Sequence, residues 1–338
     1  MNKVGLTLGK FSILHKGHQY MIETALHEMD ELFVLIYDSP SATNIPLNVR
    51  ANWIRTLYPS AKVIEGWNAP EDEGYTEEII KIQNDYITGM MGDRKITHFY
   101  SSEPYGDHVS KALNAINRTV DIKREEVCIS ASKAQSNPYE YREFIDPIVY
   151  RDLITNVVFM GAPSTGKSTL AEVMAKELDT EFMPEYGREY WDAHQSNRRL
   201  TTQQLVEIAE GHLERENKLL IKANKYLFTD TNAITTYMFS LDYNGKADSR
   251  LKELAEYAEK RYDLVFLCSD DIPYDDTWDR SGNVHRQKFQ RQIIADLTER
   301  KIPYIYLSGN LEERVEKVKN VLSHYEKYMS IGSFIPTT

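Results

Sequence analysis

The chain has 338 residues, of which 41% are hydrophobic and 27% are charged, and its formal net charge at pH 7 is -11. This length exceeds what one hydrophobic core usually serves, so we expect two domains. The acidic balance argues against a broad basic surface for nucleic-acid phosphates and leaves local basic clusters open. No apolar run approaches the roughly 18 residues of a membrane span, and no signal peptide is recognised, so we expect a cytoplasmic protein without membrane insertion. The cysteines Cys128 and Cys268 lie in apolar stretches, which predicts reduced, buried thiols.

The first half of the chain alternates strand and helix patterns. Apolar runs predict strands at 3–8, 31–37, 61–65, 97–102 and 118–122. Between them apolar residues recur at helical spacing, as Met21, Ile22 and Ala25 do after the first strand. Strands separated by helices imply right-handed crossovers, so we predict an α/β fold with a doubly wound, Rossmann-like sheet over residues 1–150.

The motif HKGH, residues 15–18, directly follows the first predicted strand. Ligands of doubly wound sheets bind beyond the carboxyl ends of the strands. A helix beginning near His18 would present free N–H groups to a phosphate. The imidazoles of His15 and His18 can donate hydrogen bonds to the same anion. The alternative interpretation is a polar surface loop.

The second half opens with a strand, a loop and a helix in the stretch VVFMGAPSTGKSTL. This stretch satisfies G-x-x-x-x-G-K-[ST] in the context that the motif needs. The loop N–H groups would bind the β-phosphate of ATP, Lys167 would reach the β and γ oxygens, and Ser168 would hold Mg²⁺. We therefore predict a P-loop kinase domain with a parallel sheet over residues 151–338. The ATP-binding residues that the motif implies are Gly161, Ser164, Thr165, Gly166, Lys167, Ser168 and Thr169.

Two further segments of the second half carry candidate catalytic residues. KYLFTDTN places Asp230 at the end of an apolar run, where P-loop enzymes keep an acidic Mg²⁺ ligand; a helix cap is the alternative. In EYGREYW, residues 185–191, Glu185 can bind ribose hydroxyls or accept a proton, and aromatic rings can stack on a flat heterocycle. The alternative is an amphipathic helix whose aromatic residues face the core.

A polar segment that is basic in its second half precedes the penultimate predicted helix, which spans about 285–300. Small phosphotransferases close an arginine-bearing lid over ATP and so exclude water. The lid candidates are Arg280, Arg286 and Arg291, and a solvated helix charge is the alternative for at least one of them.

The longer frame GKFSILHKGH resembles the G-x-F-x-P-x-H-x-G-H signature of nucleotidyltransferases, with Ile13 at the proline position. ISASKAQ resembles the I-S-x-T-x-I-R segment of the same enzymes. Gln135 stands at the position of its phosphate-binding arginine, and Arg124 and Lys133 are candidates for the arginine's role. The resemblance implies that His15 and His18 are catalytic. It also implies ATP binding by Gly9, Lys10, Phe11, Ser130, Ser132 and Lys133.

The succession of these two domains, with EYGRE and DTN segments in the second, resembles the NadR-type bifunctional proteins over roughly residues 3–325. Those proteins combine a nicotinamide-nucleotide adenylyltransferase with a ribosylnicotinamide kinase. The resemblance adds Arg280 to the ATP-binding residues and places Tyr274 where a tryptophan stacks on nicotinamide. The substrate-binding residues that it implies are Arg50, Trp67, Asn68, Glu185, Arg188, Tyr190, Asp230, Asn232 and Tyr274. For Trp67, a loop anchor is an equal alternative.

The resulting hypothesis is a two-step NAD salvage enzyme. The second domain would phosphorylate nicotinamide riboside with ATP, with Lys167 and either Glu185 or Asp230 as catalytic residues and Mg²⁺ held by Ser168 and Asp230. The first domain would adenylylate the mononucleotide to NAD.

Two alternatives stay open: a working kinase with a degenerate, nucleotide-sensing adenylyltransferase domain, and a non-catalytic regulator that binds ATP and NAD. The first predicted strand begins at Lys3, so we expect no N-terminal helix-turn-helix and no nucleic-acid partner. The partners expected are small molecules, namely ATP, nicotinamide riboside, the mononucleotide and NAD. Homo-oligomerisation is left open.

Overall fold

The computed structural model describes residues 2–72, 74–194, 200–274 and 283–329. The described chain divides into two units, one formed by residues 2–150 with 327–329 and the other by Arg151–Glu326. The sequence assigned residues 327–329 to the second domain. They belong to the first unit because the chain leaves the second after its last helix, which ends at His324.

The first unit consists of parallel strands joined by helices. The strands are β1 (Val4–Gly9), β2 (Glu31–Tyr37), β3 (Lys62–Gly66), β4 (His98–Ser101) and β5 (Ile116–Thr119). The helices are α1 (Lys16–Glu28), α2 (Leu47–Leu57), α3 (Glu77–Met91), α4 (Gly106–Ala112) and α5 (Ala131–Ser136), followed by a 3₁₀ turn (Arg142–Phe144). In the described residues the strands form a five-stranded parallel sheet of order β3-β2-β1-β4-β5. This order confirms the predicted doubly wound fold.

The strand order reverses at β1, so the carboxyl end of β1 lies where doubly wound sheets bind ligands. Alternate side chains of β1 and β2, among them Leu6 and Leu35, pack in a core with Ile87 and Met91 of α3. Burial of these central strands on both faces explains their nearly continuous apolar sequences.

The fifth strand begins two residues before the position predicted from RTVDI. It ends at Thr119. Asp121 has a positive φ of 47°, and its carboxylate accepts hydrogen bonds from the N–H groups of Glu125, Glu126 and Val127 at 2.8, 3.2 and 3.0 Å. These bonds form a turn where the β-branched residues alone predicted an extended strand.

The second unit is also a parallel α/β sheet. After α6 (Pro147–Leu153), its strands are β6 (Thr155–Met160), β7 (Glu181–Met183), β8 (Tyr226–Asp230), β9 (Leu264–Cys268) and β10 (Ile305–Leu307). Its helices are α7 (Lys167–Glu177), α8 (Tyr186–His194), α9 (Thr202–Leu220), α10 (Ala233–Asn244), α11 (Ser249–Ala258), α12 (Asn283–Glu299) and α13 (Leu311–His324). Among the described residues the sheet has five strands in the order β10-β9-β6-β8-β7. The predicted parallel sheet is confirmed.

Strand β6 is fully buried along its length. Val157 and Phe159 pack on one face of the sheet, and Val158 and Met160 pack on the other. The P-loop sequence therefore leaves the centre of a rigid sheet. In the described ranges no helix has the length and apolar character needed to cross a membrane.

Candidate functional site

His15 and His18 lie together at the carboxyl end of β1. His15 is the N-cap residue of α1, and its Nδ1 accepts a hydrogen bond from the Gly17 N–H at 3.1 Å. The two imidazole rings stack with centroids 3.7 Å apart. Phe11, whose backbone has a positive φ of 44°, packs edge-on against His18 at 4.9 Å. The HKGH segment is thus a packed turn and not a free polar loop.

Both imidazoles are neutral at pH 7. Burial, with a smaller contribution from the charge of Arg124, lowers the pKa of His15 to about 4. Burial also lowers the pKa of His18 well below its usual value, and the neighbouring charges of His15 and Arg124 act in the same direction. His15 Nε2 and His18 Nδ1 are buried, and no described residue hydrogen-bonds to either. Each ring therefore keeps a nitrogen that a ligand can engage.

Glycine and lysine residues surround this pair. Gly9 ends β1, and a Cβ at Gly17 would lie 3.0 Å from the His15 ring, a tight contact that a larger residue could make only if the ring shifted. Lys16 is exposed, whereas Lys10 is partly buried beside the same turn. Phe11 is buried and supports His18 instead of presenting its ring at a surface.

The ISASK segment follows the Asp121 turn. Ser130 is the N-cap of α5, and its hydroxyl accepts a hydrogen bond from the Lys133 N–H at 3.3 Å. Ser132 and Lys133 are exposed. Gln135 donates from Nε2 to the Ala42 carbonyl at 2.8 Å, so the residue at the arginine position is tied to backbone.

Arg124 is exposed within the Asp121 turn, and its charge acts on both histidines. The turn continues to Ile129, which lies 3.7 Å from the position of a Cβ at Gly17. The same turn exposes Cys128. The expectation that both cysteines are buried is therefore wrong for Cys128 and correct for Cys268.

The substrate-binding candidates of the first unit differ in exposure. Arg50 is 1% exposed, and its guanidinium donates to the backbone carbonyls of Ile45, Lys10 and Tyr37. Arg50 therefore connects three separate segments of the backbone. Trp67 is 54% exposed and Asn68 is exposed beside it. The Trp67 ring is not a loop anchor; the loop is held by the Tyr86 hydroxyl, which donates to the Trp67 carbonyl at 2.9 Å.

The P-loop connects β6 to α7. Gly161 has a φ of 146°, and a Cβ there would lie 2.8 Å from the Cys268 carbonyl, so only glycine fits. Lys167 donates from Nζ to the Ala162 carbonyl at 3.0 Å, and Thr165 donates from Oγ1 to the same carbonyl at 2.8 Å. Ser164 has a positive φ of 61°.

The α7 end of the loop carries the remaining motif residues. Gly166 caps α7 in the left-handed region with a φ of 79°. Ser168 and Thr169 are exposed in the first turn of the helix. Their hydroxyls are thus accessible to a nucleotide and its metal.

Two residues that the sequence did not identify hold the loop from behind. Gln290 accepts the Ala162 N–H at 2.8 Å and donates to the Cys268 carbonyl at 2.9 Å. Arg314 donates to the Thr165 carbonyl at 2.6 Å and pairs with Asp271 at 2.5 Å. Gln290 lies on α12 and Arg314 on α13, far along the chain from the P-loop. A local sequence motif therefore cannot identify them.

Asp230 ends β8 beside the P-loop strand, opposite Phe159 in the sheet register. It is fully buried, and neither carboxylate oxygen has a hydrogen-bond partner within the described ranges. Asp230 and Lys167 both lie close enough to Cys268 to affect its thiol. Burial raises the pKa of that thiol to about 11, the charge of Lys167 lowers it, and the charge of Asp230 raises it. An unpaired buried carboxylate near a P-loop lysine fits a cation ligand. Asn232, in contrast, caps α10 by accepting the N–H groups of Ile234 and Thr235.

The P-loop opens into a cavity of about 790 Å³, a size typical of small-molecule sites. Glu185 and Arg188 line it and form an ion pair at 3.9 Å. Trp191, one of the aromatic residues of EYGREYW, also lines it. Lining residues that sequence reasoning did not identify include His212, Thr235, Thr236, Phe239 and Tyr243. In the described part of the chain no group of three or more His, Cys, Asp or Glu side chains forms a metal site by itself.

Tyr190 is not part of the cavity wall. It is 6% exposed, packs in the helical core and donates its hydroxyl to Glu207, because its side chain points to the opposite side of α8 from Arg188 and Trp191. Tyr274 is half-buried and does not line the cavity; Arg286 lies 5.7 Å from its ring.

The three lid candidates have different positions. Arg280 lies outside the described residues. Arg286 is buried and donates to the Ile272 carbonyl at 2.9 Å, and Arg291 is exposed on α12.

Comparison with known proteins gives the same two-part organisation. Residues 6–137 match the cytidylyltransferase-like family, and residues 156–314 match the AAA domain family. The trifunctional NAD biosynthesis/regulator protein NadR of Salmonella typhimurium is 28% identical over 348 residues, which cover 94% of this chain and 83% of the relative. The protein of the same name from Escherichia coli K12 is 28% identical over 322 residues, covering 89% and 78%.

Solved structures show the same fold. A crystal structure of NadR protein in complex with NAD and AMP-PNP has a TM-score of 0.57 at 21% identity and covers 98% of this chain and 99% of its own. One of NadR protein in complex with NR has a TM-score of 0.56 at 22% identity and covers 96% of each chain. The chain thus joins a cytidylyltransferase-like domain to a P-loop domain of the AAA type. Over most of its length it is similar to the NadR proteins.

Proposed function

We propose that the chain is a NAD salvage enzyme with two ATP-dependent activities. The second unit phosphorylates nicotinamide riboside, and the first unit adenylylates the resulting mononucleotide to NAD. The observation that carries the proposal is the P-loop cavity, which Lys167, Ser168 and the carboxylate of Glu185 line together. The similarity to NadR proteins named for NAD biosynthesis, and to NadR structures holding NAD, AMP-PNP and NR, supports it.

In the kinase reaction, the 5′-hydroxyl oxygen of the riboside attacks the γ-phosphorus of ATP, and the bond from that phosphorus to the β-γ bridging oxygen breaks. Lys167 and the P-loop N–H groups bind the β and γ oxygens. Ser168 and Asp230 would hold Mg²⁺, which neutralises phosphate charge. Glu185 orients the acceptor hydroxyl and accepts its proton; Asp230 is the alternative base.

In the adenylyl transfer, a phosphate oxygen of the mononucleotide attacks the α-phosphorus of ATP, and pyrophosphate leaves with the bridging oxygen. Such a reaction needs no protein nucleophile, so catalysis rests on positioning and charge. His15 is a neutral donor to the triphosphate through Nε2, because its Nδ1 accepts the Gly17 N–H. His18, which donates to the Ile13 backbone carbonyl, stacks on the His15 ring and positions it. Lys10 and Ser130 border the same end of the sheet. Trp67 and Asn68 lie in the exposed loop after β3, where they would contact the mononucleotide.

The test is to assay the two half-reactions separately with purified protein. Lys167→Ala should abolish phosphorylation of the riboside and leave NAD formation from the mononucleotide intact, and His18→Ala should do the reverse. Lys176→Ala on α7 and His27→Ala on α1 are exposed controls and should change neither reaction. Wild-type protein that turns over neither substrate would refute the proposal and favour a binding protein.

A second candidate is a working kinase whose first unit only senses nucleotide. The hydrogen bond of Gln135 to the Ala42 carbonyl favours it, because the position of the phosphate-binding arginine carries no charge. In that case wild-type protein would phosphorylate the riboside and bind ATP at the first unit, yet form no NAD from the mononucleotide.

A further inference from the structure

A second, much smaller cavity adjoins the P-loop cavity. Its volume is about 10 Å³, which is roughly the space that one water molecule needs. His212 of α9 lines both cavities. The small cavity is also lined by Glu216, one helical turn further along α9, and by Arg261, which follows α11. This small cavity is called the inner cavity below.

Three buried polar atoms at the inner cavity have no hydrogen-bond partner among the described residues. They are His212 Nε2, Glu216 Oε1 and Arg261 Nε. Other atoms of the two charged side chains are bonded: the Tyr262 hydroxyl donates to Glu216 Oε2 at 3.1 Å, and Arg261 Nη2 donates to Asn217 at 2.8 Å. Because a buried donor or acceptor without a partner is costly, the three atoms need a partner that they can share.

Glu216 and Arg261 form a buried ion pair. Their side chains are 1% and 5% exposed, and Arg261 Nε lies 3.1 Å from Glu216 Oε2. Burial raises the pKa of Glu216, whereas the charge of Arg261 and the nearby Thr229 hydroxyl lower it. Neither member of the pair lines the P-loop cavity. The pair can therefore act on that cavity only through a residue that borders both cavities.

His212 is that residue, and its Nε2 faces the inner cavity. An atom in the wall of the much larger P-loop cavity would be accessible to solvent, whereas Nε2 is buried. Burial, followed by the charge of Arg261, lowers the pKa of His212 to about 4. The ring is therefore neutral at pH 7, and a water molecule can hydrogen-bond to its Nε2.

We propose that the inner cavity binds one ordered water molecule, which links the ion pair to His212 and so fixes the imidazole ring in the wall of the P-loop cavity. The water accepts a hydrogen bond from Arg261 Nε, donates one to Glu216 Oε1 and forms a third with His212 Nε2. Buried waters typically form about three such bonds. Glu216 and Arg261 are thus positioning residues for the acceptor. The inference rests on the proposed kinase function for the identity of that acceptor.

The water itself is tested by a high-resolution crystal structure of the full chain. We expect one ordered water in the inner cavity, within about 3.2 Å of all three atoms. Such a water forms bonds nearly as favourable as direct hydrogen bonds. A dry inner cavity, or one closed by a direct hydrogen bond between His212 and Glu216, would overturn the inference.

The effect on the acceptor is tested by replacing the whole ion pair. Glu216→Leu combined with Arg261→Met puts apolar side chains of similar size in its place, a change that buried pairs often tolerate. The KM for the riboside should rise about 3- to 10-fold, as expected for one lost hydrogen bond. The kcat and the KM for ATP should stay within about 2-fold. Lys252→Met with Glu256→Leu removes an exposed ion pair of α11 and should change none of these values.

His212→Phe shows whether the pair acts through the imidazole. This variant keeps a flat ring and removes Nε2, so it should raise the KM for the riboside by a similar factor. Replacing the ion pair in the His212→Phe background should then add no further increase, because the changes act on one network. Independent effects that multiply would overturn the inference. Circular dichroism checks that each variant keeps its fold.

Failure of this inference differs from failure of the proposed function. If wild-type protein phosphorylates the riboside and replacement of the ion pair leaves the KM unchanged, the inference is wrong and the kinase activity stands. If wild-type protein does not phosphorylate the riboside, the kinase activity is refuted. Calorimetric affinities of the same variants for the riboside then decide the inference together with the crystal structure.

Discussion

The imidazole rings of His15 and His18 stack at 3.7 Å with an interplanar angle of 21°. Two imidazolium ions cannot be held so close in a buried turn, because each would be desolvated next to a like charge. The neutral His15 ring can bind phosphate by donating its Nε2–H without a charge of its own. The stack therefore makes the first unit sensitive to acid.

The first prediction is a loss of stability on acidification. The folded-state pKa of His15 is about 4, against about 6.5 in an unfolded chain. Between these pH values the unfolded state binds more protons than the folded state. The contribution of neutral His15 to the free energy of unfolding is therefore fully present above pH 6.5 and is lost as the pH falls towards 4. We expect a loss of about 2 kcal/mol for His15 between pH 7 and pH 5, measured by urea denaturation.

The control for this prediction uses the second unit. Burial also lowers the pKa of His212 to about 4, so the second unit has a source of acid sensitivity of its own. His15→Gln should reduce the pH dependence of the transition of the first unit, with His18 accounting for part of what remains, and His212→Gln should reduce that of the second. An unchanged pH dependence in both variants would contradict the assignment.

The second prediction concerns the replacement of the missing arginine. Arg124 is exposed near the histidine pair, and its charge lowers the pKa of both imidazoles. Arg124→Gln should lower NAD formation from the mononucleotide about 10- to 100-fold, because a charged donor to phosphate is lost. It should also raise the pKa of His15, which a proton NMR titration measures.

Lys123→Gln is the matched control, since Lys123 is exposed in the same turn and forms a long ion pair with Glu125 at 3.9 Å. Gln135→Arg in the Arg124→Gln background should recover part of the activity. Normal activity of Arg124→Gln would show that the triphosphate is bound without this guanidinium.

The parts of the molecule that follow from local sequence were predictable. The P-loop needs its strand, glycines and helix next to one another, and the structure has them in that order. The doubly wound sheet of the first unit follows equally from alternating apolar runs. The fifth strand was misplaced because the side chain of Asp121 turns the backbone, an effect that hydrophobic periodicity does not contain.

The cavity wall was less predictable because it depends on tertiary packing. Tyr190 and Trp191 are adjacent and chemically similar, yet successive helical residues point about 100° apart, so only Trp191 reaches the cavity. Phe239, Tyr243, Gln290 and Arg314 come from distant helices and belong to no motif. Their roles depend on how those helices pack against the sheet.

The third prediction tests the support of the P-loop by Gln290. Gln290→Leu leaves the Ala162 N–H and the Cys268 carbonyl unpaired in the interior, which should lower the free energy of unfolding by about 1 to 3 kcal/mol. Gln290→Glu keeps the acceptor for Ala162 and loses the donor to Cys268. Gln292→Leu, an exposed site on α12, should have little effect. If urea denaturation gave Gln290→Leu and Gln292→Leu the same free energy of unfolding, the supporting role of Gln290 at the P-loop would be contradicted.

The fourth prediction is that replacing Asp230 by Asn makes the protein more stable and less active. Its carboxylate is fully buried with two unpaired oxygens in the described structure, and a buried charge without a partner is costly. Asp230→Asn should therefore raise the free energy of unfolding without nucleotide by about 1 to 2 kcal/mol. The same change should lower the rate of riboside phosphorylation at least about 100-fold, since an amide is a poor Mg²⁺ ligand.

Ligand-dependent denaturation separates this explanation from a general stabilising effect. Mg²⁺ with ATP stabilises the wild-type protein by mass action, and that increment should shrink in Asp230→Asn. Asp192→Asn, an exposed change on α8, should keep both the increment and the rate. If Asp230→Asn were instead less stable than wild type without nucleotide, the carboxylate would be a structural hydrogen-bonding group and its place at the metal would lose support. A stabilised but inactive variant would show that the fold tolerates the strain at Asp230 because catalysis requires the charge.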